Sequence, residues 1–94
     1  MEEQILSVKI FKALGDDRRL AMLYTLHEKG PLTYTELASS ARLNVEKKQA
    51  VIANHIKVLC NADLIQSGHM VYTLTDIGKF ACDYLIELNE PSKI

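Results

Sequence analysis

Lys47, Lys48 and Lys57, with the carboxamides Gln49 and Asn54, fall within one helix-length stretch, residues 45–59. Ammonium groups neutralise phosphates, and a carboxamide presents a donor and an acceptor together, the pair that matches the major-groove edge of adenine. At 3.6-residue spacing Val45, Ile52, Ile56 and Leu59 form an apolar stripe, while Lys47, Ala50, Asn54 and Lys57 fall on the opposite side. One face can anchor a core; the other is polar, thinly covered and partly basic. Gln49 is angled away from its centre. A merely solvated helix face would also account for these residues, so the surrounding elements must decide between the two.

Other cations sit near expected helix ends. Arg18 and Arg19 fall in the first turn of a helix and Arg42 at the end of another, positions from which a guanidinium can reach phosphates. An arginine in a first turn opposes the helix dipole, which points to a purpose beyond helix stability. Ion pairs with Asp16, Asp17 or Glu28 would hold Arg18 and Arg19 equally well. His69, at a hairpin tip, can touch a phosphate when protonated, whereas His55 and His27 are expected as packed, hydrogen-bonded core residues. Cys60 and Cys82 lack a Cys-x-x-Cys pattern or a histidine at metal-ligand spacing, so no metal is expected. Both read as small hydrophobes; oxidation of Cys60 would disturb the helix that carries it. The chain shows no Gly-rich phosphate loop, no Ser/His/Asp or Cys/His set and no acidic cluster, so neither catalysis nor a cofactor is expected.

The 94 residues, 48% of them hydrophobic, suffice for one domain, 1–94, and not for two. Lys and Arg number 11 against 12 Asp and Glu, a net charge of −1, so any attraction to a polyanion must come from local clustering. The acidic start Met1-Glu2-Glu3-Gln4 precedes no apolar run of the roughly 18 residues that would span a bilayer. The expectation is a cytoplasmic chain with no membrane partner and with reduced thiols.

The spacing predicts a first helix over 4–14, stopped by Gly15 in the left-handed conformation, with Asp16 capping the next by accepting from N–H groups near Arg18 and Arg19. The second helix, 17–28, buries Leu20, Leu23 and Tyr24, with Leu26 or His27, before Lys29-Gly30-Pro31 ends it. Pro31-Leu32 is extended. Thr33-Tyr34-Thr35-Glu36 is a capping box that opens a short third helix, with Leu37 and Ala38 or Ala41 inward, giving out near Arg42. Leu43-Asn44 is the turn, Asn44 capping the fourth helix, 45–61. Small residues Ala38, Ser39, Ser40 and Ala41 let the third and fourth helices cross closely. The period then falls to two: strands within 64–74 flank Ser67-Gly68-His69, with Gly68 supplying a positive φ. Thr75-Asp76 caps a last helix, 76–88, with Ile77, Phe80, Ala81, Tyr84, Leu85 and Leu88 on its apolar side.

That order defines a mainly α, α+β fold: a winged helix-turn-helix, with the helix-turn-helix at 33–61, a short two-stranded wing at 64–74 and an added helix at each end. The terminal helices carry Ile5, Leu6, Ile10 and Phe11 together with Phe80, Tyr84, Leu85 and Leu88, more apolar area than a small core can cover. Unless the two helices cover each other, that excess predicts a partner surface, most simply a second copy.

The segments Ala13-Leu14-Gly15-Asp16-Asp17-Arg18-Arg19-Leu20-Ala21-Met22-Leu23 and Gly30-Pro31-Leu32-Thr33-Tyr34-Thr35-Glu36-Leu37-Ala38 resemble the opening of ArsR-type and related archaeal winged-helix transcription regulators. Asn54-His55-Ile56-Lys57-Val58-Leu59-Cys60-Asn61-Ala62-Asp63-Leu64-Ile65 resembles their recognition-helix end and wing entry, and Tyr72-Thr73-Leu74-Thr75-Asp76-Ile77-Gly78 their joint between wing and last helix. The resemblance spans about 11–84 and implies a homodimer on pseudo-palindromic DNA, its terminal helices forming the interface. Asp63 stands where the family usually carries glycine, a change that Asp tolerates better than most residues in the left-handed region. The stretch between Glu36-Leu37-Ala38 and Asn54-His55-Ile56 is about one turn longer than the compact pattern, and the wing tip lacks the Arg or Lys of many relatives. The third helix carries no cysteine, which removes the soft-metal site of the metal-sensing members.

The expectation is therefore a sequence-specific, DNA-binding transcriptional regulator acting as a homodimer, its helix 45–61 in the major groove of double-stranded DNA, with room for an unidentified effector. The alternative, motivated by the near-neutral charge and uncharged wing, is a winged-helix protein-interaction module within a transcription or chromosome-handling assembly.

Overall fold

The computed structural model describes residues 7–89. Helix α1, Val8–Leu14, opens at Ser7, whose Oγ accepts from the Ile10 N–H at 3.3 Å. The expected start at residue 4 is thereby corrected: an extended Ser7 caps the helix and cannot lie inside it. Ile5 and Leu6 lie outside the described residues. Gly15 also departs from expectation, with φ −85° and not a left-handed value, its N–H donating to the Lys12 carbonyl at 3.2 Å in a tight final turn. Asp16 behaves as expected, accepting from Arg18 N at 2.8 Å and Arg19 N at 3.3 Å to start α2, Asp17–Lys29. Gly30 ends α2 with φ +89°, a conformation glycine adopts without a steric penalty.

Leu32 exchanges two backbone hydrogen bonds with Tyr72, at 3.1 and 2.7 Å, so the extended link is pinned to the wing. The capping box follows: Glu36 N donates to Thr33 Oγ1 at 3.2 Å and Thr33 N to Glu36 Oε1 at 2.9 Å, launching α3, Tyr34–Ser40. Helix α4 is Gln49–Asn61. The wing pairs β1, Ile65–Gly68, antiparallel to β2, Val71–Leu74, and α5 is Asp76–Asn89. The pairing of Gly68 with Val71 leaves His69 and Met70 as the two-residue loop, with φ +53° and +69°. The turn is thus one residue beyond Gly68; positive φ at both central residues is the twist that suits a two-residue hairpin.

Helix α2 is the hub, packing against α1, α3, α4, α5 and β2. Met22, Leu23 and Leu26 of α2 meet Leu37 and Ala38 of α3, Ile52, Ile56 and Leu59 of α4, and Ala81 and Cys82 of α5 in one buried cluster. Each of the larger side chains contributes about 1.5–3 kcal/mol of transfer free energy. The result is an α+β winged-helix arrangement in which α4 is anchored along its inner stripe. Among the described residues no helix is long and apolar enough to cross a membrane.

Candidate nucleic-acid interface

The candidate surface begins where α3 stops. Ala41 is its C-cap, Arg42 follows with φ +60°, Arg42 N donates to Ser39 O at 3.0 Å and Leu43 N to Ala38 O at 2.9 Å. These paired bonds form a Schellman motif with arginine at the left-handed position that glycine usually fills, closed by buried Leu43. The chain does not then enter α4 directly. Asn44 Oδ1 accepts from Glu46 N and Lys47 N, both at 2.9 Å, and Asn44 O accepts from Lys48 N at 2.8 Å. Asn44 therefore caps a separate turn through residues 45–47, and the helix expected from residue 45 begins at Gln49. Lys47 and Lys48 project from this turn, while half-buried Val45 packs against the core beneath it.

Along α4 the two faces separate cleanly. Ile52, His55, Ile56 and Leu59 are buried; Gln49, Ala50, Ala53, Asn54, Lys57 and Asn61 are exposed. Gln49, placed off-face by a helix starting at 45, is exposed in the first turn beside Ala50. Ala53 and Asn61 extend the surface beyond the residues expected there, and the 3.6-residue period carried around the outer face includes both. Lys48, in the N-cap position, makes no side-chain hydrogen bond to the helix start.

Arg18 and Arg42 line one shallow groove with Asp17, where the start of α2 passes the end of α3. Arg19 is placed otherwise. Its Nε donates to Ala13 O at 2.7 Å, its Nη2 to Lys12 O at 3.2 Å, and its Nη1 lies 3.1 Å from His55 Nδ1. His69 stands exposed at the wing tip beside Met70, which is 91% exposed.

The histidines separate. His55 is buried as expected; desolvation pushes its pKa below the ordinary histidine value, the nearby Arg19 and Arg18 charges add to this, and Asp16 opposes it. Asp16 is itself lowered: burial raises its carboxyl, but the Arg18 and Arg19 backbone N–H groups, with the His55 and Arg19 charges, outweigh it. His27, expected in the core, is instead exposed and pairs with Asp83 at 2.9 Å, because the Leu26 position alone fills the inner face at that turn. Cys82 is fully buried, its thiol raised to about 11 by burial and the Asp83 charge, and burial also raises Cys60.

Of the residues expected at a dimer interface, Phe11, Phe80, Tyr84 and Leu88 are exposed, at 55%, 45%, 43% and 62%. Phe80 and Tyr84 stack with ring centroids 6.4 Å apart. Leu85 is half-buried. Ile10 is corrected: it is 4% exposed and committed to the core, because the face of α1 that carries it and Ala13 packs inward. Val8 and Ile86, at 72% and 38%, join the exposed apolar set. Among the described residues no group of three or more His, Cys, Asp or Glu is placed to hold a metal ion. Compared with known proteins, the chain matches no family model and no curated sequence.

Proposed function

We propose that this protein is a sequence-specific DNA-binding transcriptional regulator that acts as a homodimer and presents α4 to the major groove. The observation that carries the reading is the outer face of α4: Gln49, Ala50, Ala53, Asn54 and Lys57 are exposed together, with Lys47 and Lys48 on the turn before them. The small side chains let the helix backbone approach a groove, the carboxamides match base edges, and the lysines match phosphates. Arg18 and Arg42, in their shared groove, supply further cations near the helix-turn-helix. Phe11, Phe80, Tyr84 and Leu88 supply apolar area for a second copy, and two copies related by a two-fold axis would read half-sites about one DNA turn apart. The cleft of about 400 Å³ between α2, β2 and α5, lined by Leu26, His27, Leu74, Lys79 and Asp83, is where an effector would fit.

The test is titration of a random double-stranded DNA pool with wild type and with Lys47→Glu/Lys57→Glu. Loss of binding by the variant supports the reading; equal binding by both removes this face from the interface.

A second reading, a winged-helix module that binds protein, is favoured by one observation. The wing tip presents the apolar Met70 at 91% exposure where a cation would suit DNA. It predicts no salt-sensitive DNA binding by the folded protein.

A further inference from the structure

The Arg19 guanidinium joins three parts of the fold. Two of its nitrogens hold the last carbonyls of α1, Ala13 O at 2.7 Å and Lys12 O at 3.2 Å, and the third lies 3.1 Å from Nδ1 of His55, in the middle of α4. A guanidinium can only donate, so Nδ1 must be the acceptor and His55 must be the neutral tautomer with its proton on Nε2. Protonation at Nδ1 would set N–H against N–H and place an imidazolium beside Arg19, in a site where His55 is 6% exposed.

Asp16, at the corner between α1 and α2, attracts an imidazolium more strongly than Arg19 alone repels it, but the Arg18 charge adds to that of Arg19, and burial of the ring, the strongest influence, disfavours the charged form. On the other elements, β1 carries no charged residue, Lys12 of α1 and Glu36 of α3 are exposed, and Lys57 lies on the outer side of α4.

We propose that Arg19 and His55 form an acid-sensitive positioning contact: neutral His55 fixes α4 against the α1–α2 corner, and protonated His55 releases it. The proposal rests on the DNA-binding reading above, since its consequence is that α4 meets DNA in a fixed pose only while His55 is neutral. Because Arg19 also closes the end of α1, whose exposed Val8 and Phe11 are offered to a second copy, the contact links the dimerising helix to the DNA-facing one.

The experiment uses a duplex enriched by the wild-type protein from a random pool, with affinity measured between about pH 8 and pH 5. The wild type is expected to lose about fivefold or more in affinity over the acid half of this range. His55→Gln, whose amide oxygen accepts from Arg19 at every pH, is expected to bind as wild type does at the alkaline end and to stay flat. Arg19→Lys, a point charge that cannot bridge three acceptors, is expected to bind more weakly throughout. Identical pH profiles for wild type and His55→Gln overturn the proposal. If His55→Gln does not fold, backbone amide shifts along α4 of the wild type carry the test: movement in step with the His55 ring titration supports the contact, and stationary shifts overturn it. Absence of DNA binding by the folded wild type at every pH instead brings down the DNA-binding reading, while the amide shifts still decide whether His55 positions α4.

Discussion

Thr75 Oγ1 donates to the Asp63 carbonyl at 2.5 Å and accepts from the Gly78 N–H at 2.9 Å, so one hydroxyl caps α5 and ties it to the end of α4. The Thr75 N–H donates to Leu64 O at 3.1 Å, which makes the joint a clasp across the base of the wing. Thr75→Val keeps the shape and removes both hydroxyl bonds. The expected cost is about 1–2 kcal/mol in chemical denaturation, with Thr75→Ser retaining most of the stability.

The same joint requires glycine at 78. A Cβ there would stand 2.1 Å from Leu64 O and 3.1 Å from Leu74 Cδ2, and the first of these is backbone that cannot turn aside. Gly78→Ala therefore forces α5 off the wing, at an expected cost of about 1–3 kcal/mol or more. A melting temperature equal to wild type would contradict this packing.

Arg42 and Asp63 occupy equivalent places, each following a helix C-cap with φ near +60°. Glycine at 63 relieves a left-handed side chain and removes an anion from the negative end of α4, so Asp63→Gly is expected to stabilise by about 1 kcal/mol. Arg42→Gly relieves the same conformation but loses a cation that suits the end of α3, so its gain is smaller. If Arg42 contacts phosphate, that variant binds DNA more weakly while being no less stable. Equal affinity would remove Arg42 from the interface.

The depressed His55 and Asp16 groups set the pH dependence of folding. His55 binds a proton more readily unfolded than folded, so its contribution is complete above its ordinary value of 6.5 and is lost as pH falls through the lower folded value. Asp16 contributes above 3.8 and loses that contribution as pH falls through its own depressed value. Denaturation midpoints should fall in two acid steps, and His55→Gln should abolish the upper one.

What the sequence revealed was chemistry acting over a few residues. The Asp16 cap, the Thr33–Glu36 capping box, the left-handed Asp63 and the Thr75 cap are each set by neighbours within four positions, and each is present. The misplaced α4 start has a local cause of another kind: the apolar period runs on through Val45, but the Asn44 side chain and carbonyl close a turn that interrupts the helix. The hairpin loop lies at His69-Met70, one residue beyond the turn that Gly68 suggests, because strand register and not glycine content fixes it. The Arg19–His55 contact spans 36 positions and was not legible at all. At the candidate interface, the exposed face of α4 followed from periodicity, whereas the withdrawal of Arg19 and Ile10 into the fold depended on packing.

The most direct test of the DNA-binding reading is the salt dependence of affinity for duplex DNA. A dimer that neutralises four or more phosphates should give a plot of log affinity against log salt with a slope of about −3.6 or steeper, made shallower by Lys47→Glu/Lys57→Glu. Folded protein that shows no salt-dependent DNA binding would contradict it.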